Sequence, residues 1–157
     1  MQIVIISDTH IYSIQNLPNE IIAKIRNSDA VIHAGDMVGK NFYEELKVEN
    51  KNLYAVRGNM DIDIQDLDEM VKFKLGYLKF GLTHGHIYNN LYNGLIYNFS
   101  DCNIVVFGHT HAPYFKKEND LWLLNPGSTS KNRWKNTKTY AILKIYKDNF
   151  DVEFYEI

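Results

Sequence analysis

The run Asn103-Ile104-Val105-Val106-Phe107-Gly108-His109-Thr110-His111 decides how this chain is read. Its continuous apolar start has the pattern of a strand covered on both faces. The glycine then frees the backbone, and two imidazoles follow. In an extended segment residues i and i+2 point to the same side, so His109 and His111 are expected to face one point. Paired imidazoles at a strand end suit a metal ion better than a hydrophobic core.

The same arrangement, an apolar strand and then a turn carrying His, Asp or Asn, recurs towards the N-terminus. Ile3-Val4-Ile5-Ile6 reads as a buried strand that stops at Ser7-Asp8-Thr9-His10, where Asp8 and His10 again stand at i and i+2. Leu17, Ile21 and Ile25 recur at helical spacing, with Pro18 in the first turn. Ala30-Val31-Ile32-His33-Ala34 is a second buried strand closed by Gly35-Asp36. Phe42 and Leu46 mark a short helix, and Leu53-Tyr54-Ala55-Val56 a third strand running into Arg57-Gly58-Asn59-Met60-Asp61. Strands alternating with helices define an α/β fold, whose ligands bind outside the carboxyl ends of the strands.

The second half changes character. Met70–Leu75 and Tyr77–Leu82, separated by Gly76, read as a hairpin that leads into Thr83-His84-Gly85-His86. Leu91, Leu95 and Phe99 predict a helix over Tyr88–Phe99, weakened by Gly94. Tyr114–Lys117 with Leu121–Leu124, and Tyr140–Tyr146 with Phe150–Phe154, are two further hairpins. The expectation is a mixed α/β sandwich forming one domain over residues 1–157.

Composition narrows the function. The chain has 157 residues, 45% of them hydrophobic and 13% aromatic, which is a globular composition with enough apolar material for a core. A net charge of −2 gives no electrostatic footprint for nucleic acid or anionic membrane. Cys102 is the only cysteine, so no internal disulfide forms and a reducing compartment is expected. The apolar start reaches Asp8 too soon for a signal peptide, and no stretch is long enough to span a bilayer. A cytoplasmic location is expected.

All 6 histidines lie in or just after an apolar strand. His33, inside its strand, reads as a core histidine satisfied by one or two partners. His10, His84, His109 and His111 each flank a Gly, an Asp or a second His at a strand end. Asp8 and Asp36, taken singly, read as N-caps of the following helices. Beside four histidines they read instead as ligands. Mixed imidazole and carboxylate suits Mn, Fe, Co, Ni or Zn and is too nitrogen-rich for Ca or Mg alone. Asn59 is a turn residue by type, though its amide oxygen can complete a ligand set.

Asp8-Thr9-His10, Gly35-Asp36, Gly58-Asn59, His84-Gly85 and Gly108-His109-Thr110-His111 resemble, in this order, the motifs of the calcineurin-like metallophosphoesterase superfamily. With Asn125-Pro126-Gly127-Ser128 they look most like its small YfcE-type phosphodiesterase branch. The resemblance implies a four-layer α/β/β/α sandwich with two mixed β-sheets and a two-metal centre, manganese foremost. It implies that Asp8, His10 and His111 hold one ion, that Asn59, His84 and His109 hold the other, and that Asp36 bridges them. Hydrolysis of a small phosphodiester by a metal-bridging hydroxide follows, with Asp36 and Asn59 in the catalytic set.

One departure from the pattern stands at Met60, where many relatives carry a histidine thought to protonate the leaving group. A thioether is only a weak acceptor, so a diester with a good leaving group is the expected substrate and His86 the candidate acid. The basic run Lys131-Asn132-Arg133-Trp134-Lys135, extended by Lys138, reads as a solvated loop. A binding scaffold of the same fold, as in the retromer complex, is the alternative. All seven candidate ligands are in place, which favours the enzyme. Nucleic acid is not an expected substrate, and homo-oligomers are known among relatives.

Overall fold

The computed structural model describes residues 1–130 and 137–157. Its first sheet contains β1 (Gln2–Ile6), β2 (Ala30–His33), β3 (Leu53–Ala55), β9 (Thr139–Ile145) and β10 (Phe150–Glu156) in the order β10-β9-β1-β2-β3. The second contains β4 (Met70–Leu75), β5 (Leu78–Thr83), β6 (Ile104–Val106), β7 (Pro113–Glu118) and β8 (Leu121–Pro126) in the order β4-β5-β6-β8-β7. Both are mixed. β1, β2 and β3 run parallel, as do β5, β6 and β8, and the remaining strands join antiparallel.

The layers follow from side-chain alternation along buried strands. On β1, Ile3 and Ile5 enter the core between the two sheets, while Val4 and Ile6 pack under α1 (Asn19–Asn27) and α2 (Lys40–Glu49). On β6, Ile104 and Val106 face the intersheet core, and Val105 faces α3 (Leu91–Asn98) with Leu95 and Phe99. Three apolar clusters thus separate four layers: helices, sheet, sheet, helix. Tyr54, Phe73 and Phe80 stack at centroid separations of 4.0 and 5.4 Å across the intersheet space.

The elements fall close to expectation, with α3 the main exception. It begins at Leu91 rather than Tyr88, because the Asn90 side chain accepts the Asn93 amide at 3.1 Å and caps it there. Gly94, expected to weaken this helix, lets the Tyr88 ring lie against its backbone, where a Cβ would collide with that ring. Neither Asp8 nor Asp36 caps a helix. α1 follows Pro18 and α2 follows Gly39, so the carboxylates are committed elsewhere.

The two parallel triplets point their carboxyl ends at one pole of the sandwich, and the turns after β1, β2, β3, β5, β6 and β8 gather there. Phe80 is fully buried between the sheets. Phe80→Ala should cost about 3–5 kcal/mol of unfolding free energy in urea titration; a loss below 1 kcal/mol would mean that the intersheet core is loosely packed.

Candidate metal centre

The turns at that pole carry an unusual backbone. Asp8 (φ 51°), His10 (48°), Asp36 (57°), His109 (68°) and His111 (57°) all lie in the left-handed region. The extended i, i+2 geometry expected for Asp8/His10 and His109/His111 is therefore not what aims them. Asp and His tolerate this region better than most residues, but each such position costs about 1–3 kcal/mol. Side chains brace them. Asn125 Nδ2 donates to the Gly108 carbonyl (2.8 Å) and Thr110 Oγ1 (3.1 Å), and Ser128 and Ser130 Oγ donate to the Asp8 carbonyl at 2.7 and 2.9 Å. Gly108 is required by proximity, since a Cβ there would fall on Ser7 Oγ.

Asp8 is fully buried, and one of its oxygens is spoken for. Oδ2 accepts Ser7 Oγ–H (2.6 Å) and the His109 amide (3.1 Å), while Oδ1 stands 3.0 Å from His111 Nε2 and 4.0 Å from His84 Nε2. Asp36 follows the same plan. Oδ1 accepts the Met60 amide at 2.8 Å, and Oδ2 faces His84 Nε2 at 3.4 Å and His10 Nε2 at 3.8 Å. Each carboxylate thus has one oxygen held by the protein and one turned towards the imidazoles.

Two groups result, each with ligand atoms within 4.8 Å of one another: Asp8, His10 and His111, and Asp8, Asp36 and His84. The His10 and His111 rings stack at 5.3 Å. His111 lies on the Asp8/His10 side, and the His109 ring is 5.2 Å from His84; neither His109 nor Asn59 belongs to these two groups. Asp36 reaches towards both sides, and Asp8 belongs to both groups. Asn59 is exposed at the end of β3 and lines a cavity of about 360 Å³ with Arg57, Gln65, Glu69 and His86. His86 Nε2 lies 3.8 Å from Glu69 Oε1, which also takes Arg57 Nη2 at 3.0 Å, and its ring is 5.4 Å from His84.

Whether this set fits a cation is tested by His84. Its Nδ1–H donates to the Ala34 carbonyl at 2.8 Å, which leaves the lone pair on Nε2. That Nε2 is buried without a hydrogen bond of its own, facing two carboxylate oxygens. A lone pair against carboxylates is repulsive until a proton or a metal ion enters between them. The electrostatics agree. Burial works against the charge of His84, but Asp36 and Asp8 outweigh it and raise its pKa. Burial likewise opposes ionisation of Asp36, yet His84, the Met60 amide and His10 hold it down at about 2. Asp8 is lowered against burial by His111, His84 and Ser7. His10 is lowered, by burial first. The residues fit divalent metal.

His33 is the satisfied core histidine that its position suggests. It is fully buried, its Nδ1 accepts the Gly35 amide, and its Nε2–H is left to donate to Thr9 Oγ1, both at 3.1 Å. Met60 contributes through its backbone, and its side chain is exposed. The basic run at 131–135 lies outside the described residues.

Asp61 was not singled out by pattern. It is buried, and its carboxylate accepts the amides of Asp36 (2.8 Å), Val38 (2.7 Å) and Gly58 (2.8 Å), tying the β2 turn to the β3 turn. Its only trace in sequence is an acid two residues after the Gly58-Asn59 turn. Ser7, Asn125 and Ser128 brace the turns in the same way.

Residues 1–148 match the calcineurin-like phosphoesterase superfamily domain, and the chain belongs to that superfamily. It is similar to small archaeal and bacterial phosphoesterases. A phosphodiesterase of Methanocaldococcus jannaschii is 33% identical over 141 residues, covering 81% of this chain and 83% of that one. The probable metallophosphoesterase YsnB of Bacillus subtilis is 32% identical over 168 residues, covering 99% and 91%. A solved structure of a predicted phosphoesterase from Streptococcus pneumoniae superposes with TM-score 0.78 at 27% identity, over 99% of this chain and 88% of the other. Zinc-complexed Vps29 from Entamoeba histolytica superposes at 0.80 over 100% and 98%, but at 24% identity, a likeness of fold alone.

Two outcomes are expected. Asp61→Asn swaps an acceptor-only carboxylate for an amide with one oxygen and should cost about 2 kcal/mol or more in chemical denaturation, with weaker metal binding by calorimetry. Adding Mn²⁺ to metal-stripped protein should raise stability, by about 2.7 kcal/mol at a hundred times the dissociation constant. An unchanged melting temperature across Mn²⁺, Co²⁺, Ni²⁺ and Zn²⁺ would contradict a metal site here.

Proposed function

We propose that this chain is a single-domain hydrolase of small phosphodiesters that works with two divalent transition-metal ions, manganese foremost and nickel, cobalt, iron or zinc as alternatives. The observation that carries the reading is the pair of adjoining candidate ligand groups sharing Asp8, with each carboxylate turning one oxygen towards the imidazoles. In this reading Asp8, His10 and His111 hold one ion, Asn59, His84 and His109 the other, and Asp36 stands between. Bound ions of this kind supply an acidified water nucleophile and positive charge for the phosphoryl oxygens.

The chain's own groups fix the geometry. The Ala34 carbonyl orients His84, the Met60 amide and Asp61 set the Asp36 turn, and Ser7 with the His109 amide orients Asp8. The cavity beside Asn59 and His86 receives one ester arm of the substrate. His86 is pushed below its usual pKa, by burial first and then by the neighbouring His84. It is therefore neutral near pH 7, better suited to hydrogen-bond the substrate than to protonate a poor leaving group. Met60 offers no acid either, so diesters with stable leaving groups are favoured. The presence of all seven candidate ligands in the chain favours the enzyme over a non-catalytic scaffold of this fold.

Metal-stripped protein should regain hydrolysis of bis-p-nitrophenyl phosphate on addition of Mn²⁺, Ni²⁺, Co²⁺ or Zn²⁺, and Asp36→Asn should be inactive while still unfolding cooperatively. Folded wild-type protein inert with every metal would sink the enzyme reading. Met60→His should raise the monoesterase rate relative to the diesterase rate, and an unchanged ratio would remove Met60 from the account of specificity.

A further inference from the structure

The cavity of about 360 Å³ at the end of β3 adjoins the metal centre, and Arg57 and Glu69 meet in its wall. Arg57 Nη2 donates to Glu69 Oε1 at 3.0 Å, and the same oxygen stands 3.8 Å from His86 Nε2. The His86 ring in turn lies 5.4 Å from that of His84 and 6.5 Å from that of His109. A chain of polar groups thus runs from the cavity wall to the imidazoles of the centre.

The Arg57–Glu69 pair keeps free hydrogen-bonding edges. Among the described residues, Glu69 Oε2, Arg57 Nε and Nη1, and the Gln65 side-chain amide make no hydrogen bond. All three side chains line the cavity, and Ile62 is the one apolar side chain among the described residues that do. Asp61 lines it too, but its carboxylate is buried and taken by three backbone amides. Asp63, Asp66 and Asp68 of the same loop are not part of the lining.

We propose, on the phosphodiesterase reading above, that this cavity selects diesters with a neutral, hydroxylated arm, a polyol or a sugar. A guanidinium and a carboxylate in contact leave the wall without net charge, so an anionic arm meets Glu69 and a cationic arm meets Arg57. An apolar arm would displace water from the free edges of both groups and give them no partner in return. Vicinal hydroxyls suit the pair. One donates to Glu69 Oε2, its neighbour accepts from Arg57, and both hydrogen bonds are charge-assisted. The ion pair therefore works as a specificity determinant, set beside the centre rather than in it.

The test uses the Mn²⁺-loaded full chain and diesters that share a p-nitrophenyl leaving group and differ in the other arm: glycerol, propyl or 2-carboxyethyl. The glycerol arm should exceed the propyl arm in kcat/KM by about tenfold. Glu69→Gln, which leaves the Arg57 charge uncompensated, should cut that preference about fivefold and raise the carboxyethyl arm about fivefold relative to propyl. Calorimetry with the product monoesters reads the same choice without turnover, and glycerol phosphate should bind about tenfold tighter than propyl phosphate. Equal kcat/KM for the glycerol and propyl arms, equal affinity for the two monoesters, or wild-type selectivity in Glu69→Gln would overturn the proposal alone. Failure of folded protein to hydrolyse any of the diesters would remove the phosphodiesterase reading and this proposal together. The Glu69 side chain is partly exposed, and it is the backbone carbonyl that accepts Thr83 Oγ1–H, so the variant is expected to fold.

Discussion

Two carboxylates buried among imidazoles at one pole are the constraint on which the rest of this structure depends. Asp8 and Asp36 sit almost out of water, each with one oxygen tied to backbone or hydroxyl donors and the other facing imidazole nitrogens. Such a cluster does not stabilise a fold by itself, because desolvating like charges together is costly. A cation between them reverses the balance. Binding of metal to such a cluster is coupled to the integrity of the turns that carry it.

Preparing that geometry strains the backbone. Five of the residues at the centre adopt left-handed dihedrals, and the cost is offset by a surrounding set of buried hydrogen bonds. Asn125 holds the turn after β6, Ser128 and Ser130 hold the turn after β1, and Asp61 locks the turn after β2 to the one after β3. They decide where the imidazoles and carboxylates point, so they should be as intolerant of change as the ligands themselves.

The sandwich separates two environments. At the carboxyl ends of the parallel strands, turns from both sheets interlock and exclude water. At the amino ends Phe115 and Trp122 stack, and Phe150 of the other sheet stands edge-on to both. The intersheet core between them, with Ile3, Ile5, Phe80, Leu82, Ile104 and Val106, is continuous and dry. One rigid body thus presents chemically different surfaces at its two ends.

Much of this was written locally. Continuous β-branched runs specified β1, β2 and β6, the i, i+4 spacing of Ile21 and Ile25 specified α1, and the His, Asp and Asn residues at strand ends marked the pole where the site lies. What local pattern misjudged were one helix cap and several matters of long-range contact. Asn90 capping, rather than the Leu91/Leu95/Phe99 period, set the start of α3. The candidate ligands come together through left-handed turns, not through strand alternation. Asp61 gave no signal because its three donors come from two turns that only folding brings together. Sequence by itself singled out the candidate ligands and the strand ends at which they stand, since residue type and periodicity are local properties. Tertiary structure decided how they point and which of them meet, because those depend on hydrogen bonds between segments up to 122 residues apart.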